Sequence, residues 1–188
     1  MMFSGLTPTR SELDDFACAL STLPWDELTI VCIGTDRSTG DALGPLVGTA
    51  LQQAFTAADC AVPVLGDLEH PVHGENLQRK NASIQTPYTL AIDATLGSPH
   101  RVGEVHFRSG PLKPGAAVGK RDLGEIGDWS ITAAVNVGGF MPYFVLQNTR
   151  LSQVMRLARV IAEGITSAAL ASAQYTKIAA TDSRRSQR

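Results

Sequence analysis

Two aspartates follow apolar stretches whose composition is typical of buried strands. Asp41 lies in the polar loop 34–44, after the apolar run 28–33, and Asp93 directly follows the apolar run 88–92. Because the carboxyl ends of neighbouring parallel strands meet at one edge of an open sheet, we expect the two carboxylates to share a site there. Two close carboxylates can divide the roles of general acid and general base, or together ligate a hard or borderline metal ion.

Each aspartate also has an interpretation that involves no chemistry. Aspartate is a preferred N-cap residue, and Asp41 stands directly before a helical pattern that begins at Ala42. Asp93 fits a turn in which the carboxylate bonds its own backbone. A phosphate-binding loop is disfavoured, because the segment from Gly34 to Gly40 is one residue too long for the Walker pattern, aspartate stands where lysine would, and G-x-G-x-x-G is absent.

Further polar side chains of the same loop and of two other loops are predicted to contact a substrate. They are Asp36, Arg37, Thr39, Glu69, His73, Asp128 and Ser130. Arg37 fits a substrate clamp or a surface ion pair with a neighbouring aspartate. The position of Asp128 is compatible with a third acidic residue of the site or with a residue that forms a turn. No G-x-S-x-G elbow surrounds Ser38, Thr39 or Ser130, so hydrogen bonding is a better role for these hydroxyls than nucleophilic attack.

The histidines give no strong metal signature. His70 and His73 lie three positions apart near acidic residues, which favours polar contacts at a helix start over a metal site. His106 is predicted to face solvent from a half-exposed strand. No cofactor is firmly implied by these residues, and a divalent metal held by Asp41 and Asp93 stays open.

Predicted strands and helices alternate along the chain, which indicates an α/β fold with a mostly parallel sheet and helices on both faces. Strands are expected over 28–34, 61–65, 88–92, 103–107 and 131–137, and helices over 11–20, 42–55 and 72–80. A long last helix, capped by Asn148 or Thr149, should bury Leu151, Val154, Met155, Ala158, Ile161, Ala162, Ile165 and Ala169. The Gly/Pro-rich loop 109–119 is long enough to be functional.

Length and composition are typical of one soluble globular domain. The chain has 188 residues, 44% of them apolar, and a formal net charge of -2. We predict a single α/β domain over 1–175 and a disordered C-terminal tail over 176–188. The charge gives no reason to expect a nucleic-acid or membrane partner, and the oligomeric state stays open. Three widely spaced cysteines suggest neither a disulfide framework nor a thiolate zinc site.

Five segments, matched in order, resemble the YyaC-type sporulation proteins of spore-forming bacteria. They are Cys32–Pro45, Glu69–Leu77, Ala91–Gly97, Gly127–Thr132 and Val145–Leu151. That family is in turn similar to the germination protease of spores and to the hydrogenase maturation endopeptidases, which share a phosphorylase/hydrolase-like α/β fold. The germination protease carries one essential aspartate in a D-A-L-G-P turn and one in an I-D-A strand, and these motifs match Asp41 and Asp93.

The resemblance implies a sporulation-associated, peptidase-like hydrolase that uses Asp41 and Asp93 as catalytic residues on a protein or peptide substrate. It also implies a cytoplasmic location, in the forespore or mother cell. The third metal ligand of the hydrogenase endopeptidases, a histidine, has no counterpart in Gly127–Thr132. Two alternatives stay open: a non-catalytic binding or regulatory protein that keeps the protease fold, and a metal-dependent amide hydrolase.

Overall fold

The computed structural model describes residues 1–115 and 123–185, with side chains to residue 173, and contains a mixed sheet of six strands in that part of the chain. The strands are β1 (Met2–Ser4), β2 (Leu28–Cys32), β3 (Val64–Leu65), β4 (Tyr88–Gly97), β5 (Glu104–Ser109) and β6 (Trp129–Val137). The helices are α1 (Arg10–Ser21), α2 (Leu43–Ala57), α3 (Leu77–Ala82), α4 (Pro142–Gln147) and α5 (Leu151–Arg185). The predicted α/β fold class is confirmed.

The order of the strands places a crevice between β2 and β4. The sheet runs β1-β5-β6-β4-β2-β3, and the four strands from β6 to β3 are parallel. After β2 the chain passes to β3 on one side, and after β3 it returns to β4 on the other side of β2. The connections that leave β2 and β4 therefore diverge at their carboxyl ends, which is where ligands bind in open α/β sheets.

The two faces of the sheet are covered differently. Side chains at even positions of β2 and β4, such as Ile30 and Ile92, belong to the main core, which α1, α2 and α5 cover. Those at odd positions, such as Val31 and Ala91, belong to a smaller cluster with Leu77 of α3. Since strand side chains alternate between faces, Asp93 points to the same face as Ala91.

Three glycines let α2 and the loop before it lie directly against the ends of the strands. A Cβ atom at Gly44 would lie 2.0 Å from the carbonyl oxygen of Ile33, and one at Gly48 would lie 1.8 Å from that of Gly66. Gly34, at φ +145°, leaves no room for a side chain either, because a Cβ would lie 2.0 Å from the carbonyl oxygen of Asp41. These close contacts hold the turn that carries Asp41 against the sheet.

Several element boundaries differ from those predicted. Strand β4 continues to Gly97 because it still pairs with β6 beyond Asp93. Asp93 therefore lies inside the strand and not at its end. The helix predicted over 72–80 is reduced to α3, and β1 and α4 were not predicted. Short elements of this kind are stabilised by tertiary pairing more than by local sequence, which explains their weak signal.

The start of the last helix also differs from the prediction. The Thr149 hydroxyl donates to the carbonyl of Val145 at 2.9 Å, so it closes the preceding helix α4 and does not cap α5. Leu151 and Met155 are exposed although Val154 between them is buried, so they lie on the outer side of the first turns of α5. The other predicted core residues of this helix are buried, namely Val154, Ala158, Ile161, Ala162, Ile165 and Ala169.

Two predictions fall on parts of the chain that are described incompletely. The backbone of α5 is helical to Arg185, and residues 186–188 lie outside the described residues, so the division into a domain and a disordered tail stays a prediction. Residues 116–119 of the predicted functional loop also lie outside them. No helix among the described residues has the length and apolar character required to cross a membrane.

The burial of α5 gives a test of the fold. Ile161 is fully buried in the main core, so Ile161→Ala should destabilise the protein by about 2–5 kcal/mol through lost burial and the cavity left behind. Met155→Ala on the exposed side of the same helix should change stability by less than about 0.5 kcal/mol. Thermal or urea unfolding measures both. Equal effects of the two substitutions would contradict the placement of this helix.

Candidate functional site

Asp93 is a buried carboxylate on the floor of the crevice. Its strand pairs with Cys32 of β2 only as far as Ile92, whereas on the β6 side Asp93 is paired with Thr132. The residue is only 9% exposed, and its Oδ1 accepts a hydrogen bond of 2.8 Å from the Ala94 N–H. Asp93 is thus the first residue of β4 beyond the end of β2, at the point where the sheet opens.

Asp41 approaches the same crevice from the loop after β2. It lies in a single turn of 3-10 helix, Gly40–Ala42, which contacts β4. The N-cap of α2 is Ala42, so the alternative interpretation of Asp41 as the N-cap of that helix is wrong. The turn is fixed by a backbone hydrogen bond of 3.1 Å from the Thr35 N–H to the Asp41 carbonyl.

Both aspartates line one cleft of about 1310 Å³. Its walls come from the loop after β2, from the segment His73–Glu75, from β4, β5 and β6, and from the loop that follows β5. Among the predicted substrate-binding residues, Arg37 and His73 also line this cleft. Arg37 forms no salt bridge in the part of the chain that the structure describes, so the alternative of a surface ion pair is not observed.

Five other predicted residues do not line the cleft. Asp36 and Glu69 are exposed, and Thr39 contributes its carbonyl to the turn before α2. Asp128 accepts a hydrogen bond of 2.8 Å from the Thr89 N–H, near the start of β4 and away from Asp93. Ser130 is buried in β6 and takes part in the site only through another side chain. Substrate contact by these five residues stays a prediction.

Sequence reasoning missed a row of charged residues on β5. Register places His106 opposite Thr132, and therefore in line with Asp93 across three strands. The Glu104 carboxylate lies 2.9 Å from both Arg101 Nε and His106 Nε2. The hydrogen bond from Arg101 holds the pKa of Glu104 below its ordinary value. The His106 side chain is 23% exposed, and it lines the cleft together with residues of the loop after β5.

The loop after β2 contains an unusual hydroxyl. The Ser38 Oγ is buried and has no hydrogen-bond partner within the described residues. Buried polar atoms nearly always have a partner, so each exception calls for an explanation. Four other residues of this loop line the cleft, whereas Ser38 does not: they are Gly34, Thr35, Arg37 and Asp41.

The donor atoms do not form a ready metal centre. Within residues 1–115 and 123–185, no group of three or more His, Cys, Asp or Glu side chains is placed so that it could hold a metal ion. His70 interacts instead with Asp67, at 3.6 Å. The pair of Asp41 and Asp93 would need further ligands from water or substrate to hold a divalent cation.

A second buried carboxylate, Asp67, anchors the neighbouring loop. Its Oδ1 accepts hydrogen bonds from the backbone N–H groups of Glu69 and His70, and its Oδ2 accepts one from Gln52. Burial raises the pKa of Asp67, but these hydrogen bonds outweigh burial, so the pKa lies below its ordinary value. The only sequence signal is an aspartate shortly after a strand, the same signal that drew attention to Asp93.

These features define the class of protein. It is an α/β protein with a mixed sheet, two aspartates in the crevice where the connections from β2 and β4 diverge, and charged residues along β5. The chain belongs to the family described as "Protein of unknown function (DUF1256)", whose profile matches residues 10–164. The predicted family resemblance is thereby confirmed.

Two individual proteins illustrate the relationship. The chain is 51% identical over 142 residues to a Bacillus subtilis (strain 168) protein described as "Uncharacterized protein YyaC", a match that covers 73% of this chain and 67% of that protein. The crystal structure of a [NiFe] hydrogenase maturation protease, HycI from Thermococcus kodakarensis KOD1, aligns with a TM-score of 0.45 and 18% identity over 74% of this chain and 92% of its own. A likeness at that distance carries no inference about activity.

The lowered pKa of Asp67 predicts a pH dependence of stability. A depressed folded-state pKa stabilises the protein above the unfolded-state value of about 3.9, and this contribution is lost as the pH falls through the folded-state value. Asp67→Asn should therefore lower stability by about 1–2 kcal/mol at pH 7, and the difference from the wild type should shrink below about pH 4. Thermal melts between pH 7 and pH 3 measure this difference. A difference that does not vary with pH would contradict the assignment, and Asp15→Asn on the exposed side of α1 is the control.

Proposed function

We propose that this protein is an aspartate-dependent peptidase whose catalytic residues are Asp41 and Asp93. One observation carries the proposal: both carboxylates line a single cleft at the divergence of β2 and β4, although 51 residues separate them in the chain. The cleft is open and large enough to admit a polypeptide segment. The match of their motifs to the two essential aspartates of the germination protease supports the same assignment.

The chemistry follows from two carboxyl groups in different surroundings. One ionised carboxylate takes a proton from water as the oxygen attacks the carbonyl carbon of the scissile peptide bond, and the other carboxyl protonates the departing amine nitrogen as the C–N bond breaks. The two roles require one carboxyl group to be protonated and the other ionised, and Asp41 and Asp93 are the pair proposed to divide them.

The biological setting is part of the proposal. By the resemblance of the five segments, we place the protein in the cytoplasm of a sporulating cell, with a protein or peptide substrate and no nucleic-acid or membrane partner. Removal of a short segment from a folded partner and degradation of spore proteins are both compatible with an open cleft.

Replacement of Asp93 tests the mechanism. Asp93→Asn keeps the shape of the side chain and removes its charge and its ability to carry the proton, so peptide cleavage should fall by about 10²–10⁴-fold while the protein stays folded. The assay incubates wild type and variant with small acid-soluble spore proteins and with a peptide library, with and without a divalent metal, and detects products by mass spectrometry. Thermal melts verify folding.

Matched variants make the result specific. Asp41→Asn should reduce cleavage by a similar factor, and Asp15→Asn, which removes the same charge from the surface of α1, should leave it unchanged. Equal cleavage by wild type and Asp93→Asn would remove Asp93 from the mechanism. Cleavage that requires added metal would instead favour the metal-dependent hydrolase, and an inactive wild type would favour the non-catalytic binding protein.

A further inference from the structure

Arg108 on β5 is held in a fixed orientation at the edge of the cleft. Its Nε donates to the Ser130 Oγ at 3.1 Å, and its Nη2 donates to the Pro111 carbonyl at 3.3 Å. Ser130 is only 1% exposed, and its hydroxyl in turn donates to the Gly110 carbonyl at 3.0 Å. A buried hydroxyl near the start of β6 is therefore used to orient an exposed guanidinium group.

The other cations along this part of the cleft already have carboxylate partners. Arg101 is paired with Glu104 at 2.9 Å, and Lys113 with Glu125 at 3.4 Å. Arg108 forms no salt bridge with any residue that the structure describes. A guanidinium group has five N–H donors, roughly three of which are not used by Ser130 and Pro111. Arg108 thus presents to the cleft an oriented guanidinium group that has no carboxylate partner among the described residues.

We propose that Arg108 is the specificity-determining residue of the cleft and binds a carboxylate of the polypeptide ligand, with Ser130 as its positioning residue. The inference deepens the proposed function, because it names the substrate class of the same cleft: polypeptides with an acidic side chain near the reacting bond. A planar guanidinium binds a carboxylate through two parallel hydrogen bonds, which supplies both energy and orientation.

The sheet register gives the spacing between the two subsites. Arg108 is paired with Ser130, Ser130 with Ala91, and Asp93 lies two residues further along β4. The Cα atoms of Arg108 and Asp93 are therefore separated by two strand spacings across the sheet and by two residues along the strand. These two perpendicular displacements combine to a distance of about 12 Å. An extended ligand covers about 3.4 Å per residue, so its acidic side chain lies about three or four positions from the peptide bond at Asp93.

Peptide binding in solution tests this inference without relying on cleavage. The probes are a blocked heptapeptide of alanines with one central glutamate and the same peptide with glutamine, titrated into the ¹⁵N-labelled Asp93→Asn protein. The Arg108 Nε–H resonance should shift saturably with the glutamate peptide, which should bind about tenfold more tightly than the glutamine peptide. Arg108→Gln should abolish this preference, whereas Lys113→Gln, which removes an already paired charge from the same cleft, should retain it.

Ser130→Ala distinguishes positioning from a merely structural role. It should reduce the preference for glutamate severalfold while Arg108 is still present, and a change in melting temperature alone would not produce that effect. Equal binding of the two peptides, no binding of either, or a preference that survives Arg108→Gln would overturn the inference. If the protein binds the glutamate peptide through Arg108 but cleaves no peptide, the role of Arg108 stands and the peptidase activity is contradicted. If it cleaves peptides without preference for acidic residues, the peptidase activity stands and the role of Arg108 is contradicted.

Discussion

The burial of the Asp93 carboxylate is the constraint on which the site depends. A charged group in the interior of a sheet is costly unless it has hydrogen-bond partners or access to water. Here β2 ends at Cys32, opposite Ile92, so one side of Asp93 opens into the crevice while its other side keeps the pairing with β6. The Ala94 N–H satisfies one oxygen. The sheet therefore continues through Asp93 as a rigid support and still exposes it where the two connections diverge.

Close backbone packing fixes the position of Asp41 relative to the sheet. The absence of side chains at Gly34, Gly44 and Gly48 allows the loop and α2 to touch the ends of β2 and the residues after β3. An alanine at any of these positions would force backbone atoms apart, because the neighbouring atoms are carbonyl oxygens with nowhere to move. The position of Asp41 relative to β4 is thus determined by the contact distance between main chains, which is more precise than a contact made by flexible side chains.

Charge is distributed unevenly across the sheet. The carboxylates of Asp41 and Asp93 lie toward β2 and β4, together with Arg37, whereas Arg108 and His106 lie on β5, at the other wall. The antiparallel addition of β5 to β6 produces this separation, because it brings Arg108 beside Ser130 and His106 beside Thr132. A polypeptide across the cleft would meet the two aspartates at one position and Arg108 at another.

The sequence by itself determined the α/β class, the apolar strands β2, β4 and β6, and the two aspartates worth attention, because these depend on local hydrophobic patterns and on short motifs at strand ends. It could not show that β4 continues past Asp93, since that extension depends on pairing with β6, about 39 residues away in the chain. It also missed Arg108 and His106, which look like ordinary surface residues of an alternating strand. Only the tertiary structure decided that this face of β5 forms a wall of the cleft, and that Ser130 acts on Arg108, because both results arise from strand register and from the described loop residues that line the cleft after β5.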